Sequence, residues 1–131
     1  FSDSTIKDAL DFMKYYSLQY IPVCDRNTHF LGEVTAHVIL SIGLSHYDQM
    51  KANYQSLSSL KPFEDLLKNE TIIQLKSIMR VPPAVLSPHT LLNEAAFQFV
   101  KHNRYHLPVA QDGVCVGVLN QIDLINRFLR V

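Results

Sequence analysis

The chain has 131 residues, 47% of them apolar and 18% charged, enough to bury a core in one compact domain or two small packed repeats. Twelve basic residues balance twelve acidic ones, so the cationic surface that grips nucleic acid or an anionic membrane is missing, and no nucleic-acid partner is expected. No apolar run is long enough to span a bilayer and no signal peptide opens the chain, so no membrane insertion and a cytoplasmic setting are expected. Because it begins at Phe1 rather than Met, the chain is expected to be a piece of something longer.

In chain order, Ile6, Ala9, Leu10 and Met13 recur at helical spacing, which predicts a helix after an N-cap at Ser4, with Asp8 favourable in its first turn. "QYIPVC" (19–24) reads as a strand, "DRNTH" (25–29) as a turn, and a second strand runs through Gly32 into the helix "AHVILSIGL" (36–44). Next come "DQMKANYQSLSSL" and "FEDLLKNETIIQLKSIM", two helix-like stretches parted by Lys61-Pro62 and read as an inserted helical region. "RVPPAVLSP" (80–88) is extended, and Ala84–Leu86 can form a leading strand that the prolines confine to an edge. A second helix is predicted from Leu92, Ala95, Ala96 and Phe99, with Thr90 as N-cap and Glu94 in the first turn. "YHLPVA" and "VCVGVL" form a hairpin around Asp112-Gly113, the latter strand apolar enough to be covered on both faces. "QIDLINRFL" (121–129) closes the chain as a helix.

The chain contains itself twice. Shifted by 86 positions, residues 4–23 lie over 90–109, placing Asp8 on Glu94, Ala9 on Ala95 and Pro22-Val23 on Pro108-Val109. With one residue removed from the turn, 31–40 lie over 116–125 and Gly32 meets Gly117. Three segments follow: a first repeat over 1–43 without its leading strand, a helical insertion over 44–77, and a second repeat over 78–131.

A β-α-β-β-α unit in tandem, marked here by Met79, Pro83, Ala95, Pro108-Val109, Asp112-Gly113, Gly117 and Asp123, resembles the CBS domain family. Two such units form the CBS pair, or Bateman module. The resemblance implies an α/β fold of two repeats packed by their sheets around a pseudo-two-fold axis. It implies a homodimer and a regulatory role over a neighbouring domain or partner, rather than catalysis. The ligands it implies are adenosine-containing (AMP, ADP, ATP or S-adenosylmethionine), held between repeats, with no other cofactor.

The family's ribose-phosphate motif is Gly, two apolar residues, Ser or Thr, any two residues, then Asp. The second repeat offers Gly117-Val118-Leu119-Asn120-Gln121-Ile122-Asp123. Asp123 matches the ribose hook, and Asn120 departs from Ser/Thr while keeping an amide that can face phosphate beside helix N–H groups. The plainer alternative is capping: Asn120 as N-cap, with Asp123 in the first turn and Arg127 as its i+4 partner. The first repeat keeps Thr35 at the cap but has Val38 in place of the acid, so one ligand rather than two is expected. The resemblance places adenine near Pro83, Ala84, His106 and Pro108, with ordinary packing the alternative for each. His102 and Arg104, at a helix C-terminus, are candidate phosphate contacts.

Other chemistry is thin. The six histidines form no metal-like spacing, the four glycines no phosphate loop, and no nucleophile elbow occurs, so no catalytic or metal residue is assigned. Cys24 and Cys115 lack CxxC spacing and read as buried, unpaired thiols of a reducing compartment. The competing function is a CBS pair whose sites have decayed, leaving a dimerisation or protein-interaction module.

Overall fold

The computed structural model describes residues 1–42 and 72–130. It is a mixed α/β structure: α1 (Ile6–Tyr16), β1 (Tyr20–Cys24), β2 (Phe30–Thr35), the helix α2 (36–42), a 3-10 turn (Leu75–Ser77), α3 (Leu92–His102), β3 (His106–Gln111), β4 (Val114–Asn120) and α4 (Gln121–Leu129). β1 pairs with β2 and β3 with β4, giving two small sheets. The chain divides into two compact units, Phe1–Ile21 with Val34–Met79, and Pro22–Glu33 with Arg80–Val131. Most of the inserted helical region lies outside the described residues; the part over 72–77 holds the 3-10 turn and a one-residue bridge from Gln74 to Thr5.

The first unit starts from a capping box. The Thr5 hydroxyl accepts from the Asp8 N–H at 3.2 Å, and the Asp8 carboxylate accepts from the Thr5 N–H at 2.9 Å. These bonds from Thr5 hold the Asp8 carboxyl below its ordinary value. The N-cap is therefore Thr5, one residue later than Ser4, because Thr5 has the extended backbone and the three-residue spacing to Asp8 that the box requires. α1 buries Ile6, Ala9 and Met13 on one face, beside the buried Tyr20, Val34, Val38, Ile39 and Leu75 of the same unit. Ser17 ends the helix in the left-handed region.

The second unit repeats this plan with different caps. Leu91 occupies the N-cap of α3 without a side-chain bond; Thr90, expected there, instead accepts from the Ser87 N–H at 2.9 Å. Asn103 ends α3 in the left-handed region, 86 residues after Ser17. Asp112 and Gly113, both at positive φ, turn the β3–β4 hairpin, and a register shift follows Val109. The core joins Leu86, Ala95, Phe99, Leu107 and Leu124, with Ala84, Ala96, Val109 and Leu119 packed against it.

Two further expectations change. The leading strand shrinks to a single parallel bridge, Leu86 to Val109, held by Leu86 N–H to Pro108 C=O (2.9 Å) and Ala110 N–H to Leu86 C=O (2.8 Å). Pro82 and Pro83 have no N–H with which to extend it. β4 is not covered on both faces: Val116 and Val118 are exposed, as in a hairpin that packs helices on one side only.

Candidate functional site

In the second unit the run from Gly117 to Asp123 is a strand entering a helix. Asn120 has the extended backbone of an N-cap, and its Oδ1 accepts from the Asp123 N–H at 2.8 Å. That bond uses the amide of Asp123 and leaves its carboxylate exposed in the first turn of α4. Among the described residues the Asp123 carboxylate takes no ion pair, and the i+4 pairing with Arg127 that belonged to the capping alternative does not form. Gly117 borders open space, since a Cβ built there meets nothing within 4 Å.

The turn is anchored from behind. The Gln121 N–H donates to the Tyr105 C=O at 3.1 Å, and its side-chain amide donates to the Arg104 C=O at 2.5 Å. The start of α4 is thereby tied to the start of β3. His106 stands opposite Asn120 in the β3–β4 register, and Pro108 opposite Val118. Of the sequence-selected residues, Asn120, Asp123 and His106 thus gather at the end of the sheet where β4 becomes α4. Pro108 is fully buried next to that end, Ala84 packs against the core, and Pro83 is exposed.

His106 is half-buried. Burial pushes its imidazole below the ordinary 6.5, Arg104 beside it acts the same way, and Glu33 opposes both. Glu33 is the residue that sequence reasoning missed. It is 3% exposed, its Oε2 accepts from Arg104 Nη2, and its Oε1 is buried without a hydrogen bond among the described residues. Its backbone pairs both ways with Arg80, at 2.8 and 2.9 Å. The available signal was a carboxylate at Glu33, where the motif takes an apolar residue and the second repeat has Val118. Arg104, a candidate phosphate contact by sequence, is taken up by Glu33. His102 lies within 3.1 Å of Gln98 Oε1.

In the first unit Thr35 forms the equivalent cap: its hydroxyl accepts from the Val38 N–H at 3.1 Å. The Ala36 N–H donates to the Gln19 C=O at 3.0 Å, the counterpart of the Gln121–Tyr105 bond. Val38 itself is buried, so no polar group stands where the second repeat presents Asp123. Among the described residues no three His, Cys, Asp or Glu side chains are grouped to hold a metal ion, and no helix is long and apolar enough to cross a membrane.

Known proteins share this fold. The family model described as "CBS domain" matches residues 1–44 and 75–130. An uncharacterized protein of Methanocaldococcus jannaschii, MJ1426, is 21% identical over 141 residues, covering 98% of this chain and 84% of its own. Among solved structures, the CBS domain of a CBS domain containing membrane protein from Sphaerobacter thermophilus superposes with a TM-score of 0.72 at 23% identity, covering 95% of this chain and 77% of its own. The CBS-pair protein CBSX2 from Arabidopsis thaliana reaches 0.75 at 20% identity, covering 98% and 83%. A structure of CBSX2 in complex with AMP gives 0.72 at 20% identity, covering 98% and 84%. At these identities the likeness is one of fold.

Proposed function

The chain belongs to the CBS domain family as a tandem pair, and from that premise we propose that it is a regulatory module binding one adenosine-containing ligand through its second repeat. Occupancy would be passed to a neighbouring domain or partner, with no chemistry performed on the ligand. The observation that carries this reading is the state of Asp123: a first-turn carboxylate, exposed, at the end of the sheet where His106 stands opposite Asn120. An ionised carboxylate there can accept from both hydroxyls of a ribose. The exposed N-terminus of α4 and the open space beside Gly117 suit an approaching phosphate. CBSX2, similar in fold, is seen with AMP. Thr35 lacks a carboxylate partner, which favours a single site.

Self-association into a homodimer belongs to the same proposal; the exposed Ile122, Ile125 and Leu129 give α4 an apolar face for a second copy. Two unpaired thiols suit a cytoplasmic location. The competing reading, an interaction module without nucleotide, draws on Asn120, whose side-chain oxygen is already engaged as a cap.

Calorimetric titration with AMP, ADP, ATP and S-adenosylmethionine tests the proposal, with light scattering for the dimer. Asp123→Ala is expected to weaken binding by about 1.5–3 kcal/mol, the range for a hydrogen bond to a charged group. Its cost in folding should be a few tenths to about 1 kcal/mol, the scale of a helix-dipole contact. If the wild type binds none of the four, the interaction module takes the sensor's place. If both proteins bind equally, Asp123 is a helix-terminus residue and nothing more.

A further inference from the structure

The extended segment that precedes α3 has one edge paired and the other open. Leu86 turns both of its backbone groups to β3: its N–H donates to the Pro108 C=O at 2.9 Å and its C=O accepts from the Ala110 N–H at 2.8 Å. Backbone groups of successive extended residues point to opposite sides, so those of Val85 face away from β3. Among the described residues neither the N–H nor the C=O of Val85 takes a hydrogen bond. The open stretch is short, because Pro82 and Pro83 have no N–H and the Ser87 N–H is already held by the Thr90 hydroxyl at 2.9 Å.

Beside this edge lies a groove of about 650 Å³ between the segment and α3. Val85 lines one wall, and Asn93, Glu94, Phe97 and Gln98 line the other, three and four residues apart on one face of α3. Glu94 is exposed and takes no ion pair among the described residues. Lys101, further along the helix, lies over the Phe97 ring at 5.8 Å rather than against that acid. Phe97 is 61% exposed and Val85 47%. Each feature restricts what can settle there. The edge calls for a C=O and an N–H offered by one extended residue, which is what a peptide backbone presents. Glu94 calls for a cation, and Phe97 with Val85 for apolar contact.

We propose that this groove is a docking site for an extended segment of a partner protein, added along the Val85 edge. The segment's N–H donates to the Val85 C=O, and its C=O accepts from the Val85 N–H. Side chains two apart on a strand lie on one face, so a Lys or Arg of the segment meets Glu94 while an apolar residue two positions away covers Phe97. The inference stands independently of nucleotide binding, in which Glu94 and Phe97 have no part.

Short random peptides displayed on phage are selected against the full chain without nucleotide. An enriched peptide is then synthesised, titrated by calorimetry, and followed by amide hydrogen exchange of the chain. Enriched sequences should place Lys or Arg two residues from an apolar residue, and the bound peptide should slow exchange of the Val85 N–H. Glu94→Gln should weaken binding by about threefold, the scale of an exposed ion pair, with added salt weakening the wild type alike. Val85→Pro removes the outward N–H without touching a bond made inside the chain, and should cost about fivefold, the scale of one hydrogen bond. Enrichment without a basic residue, equal affinity for wild type and Glu94→Gln, or unchanged Val85 exchange with peptide bound would each overturn the proposal. So would protection of Val85 that rises with protein concentration in the absence of peptide, which would assign the edge to a second copy. Exchange in the wild type and the Glu94→Gln titration decide the matter even if Val85→Pro misfolds.

Discussion

Residues 38 and 123 stand at the same point of the same strand-to-helix turn, and their surroundings are opposite. Both backbones donate to the cap three residues earlier, Val38 to the Thr35 hydroxyl at 3.1 Å and Asp123 to the Asn120 amide oxygen at 2.8 Å. Yet Val38 is buried and Asp123 is exposed. The inversion recurs five residues upstream. Glu33 is buried and paired with Arg104, whereas its counterpart Val118 is exposed. A duplicated turn has thus kept its hydrogen bonds while exchanging polarity at two positions. Local geometry alone does not make a ligand site: the first repeat has the cap and the helix terminus but nothing polar at the end of the turn.

The comparison breaks most visibly at position 38. Val38→Asp would seal a carboxylate in the first unit's core and should cost about 3–5 kcal/mol, the scale of an uncompensated buried charge. The reciprocal Asp123→Val should stay within about 1 kcal/mol. Urea denaturation of both variants decides it, and equal losses would mean that the two positions are not inverted after all. Next in size is Arg104→Met, which leaves Glu33 buried with neither oxygen paired to a cation. About 3 kcal/mol is expected, the low end of the range for breaking a buried ion pair, because Arg104 is partly exposed. Val118→Ala, the counterpart change on β4, should move the denaturation midpoint far less.

The caps should behave alike where the neighbouring positions do not. Thr35→Ala and Asn120→Ala are each expected to lose about 1 kcal/mol of stability, the typical worth of an N-cap. A loss at only one of them would show that the two turns are not mechanically equivalent.

The smallest effect concerns His106. Its pKa lies below the ordinary 6.5, so between the two values the unfolded chain binds more protons than the folded one. Stability contributed by neutral His106 is therefore whole above about pH 6.5 and drains away as the pH falls towards the lower folded value. Thermal melts between pH 7.5 and 5 should show this slope in the wild type and a shallower one in His106→Gln. Asp8 and Asp25, both held below 3.8, act only in more acid solution.

Much of this was legible in the residues themselves. The Asp112-Gly113 hairpin, the helical stripes and the turn from Gly117 into α4 all follow from relations among residues a few positions apart. Hydrophobic period, turn chemistry and capping act over that range, and the sequence sets them directly. Even there, the choice between Ser4 and Thr5 as N-cap rested on backbone angles that neighbouring hydroxyls do not distinguish. Burial is different in kind, because it depends on which distant segments arrive. Val38 reads as an apolar helix residue, but only packing makes it a poor position for an acid. Glu33 and Arg104 lie 71 residues apart, so no spacing rule connects them, and a carboxylate on a short strand gives no hint that its charge is matched from another element. The leading strand followed the same logic: its prolines announced an edge, and its reduction to one bridge at Leu86 was settled by where β3 could reach it.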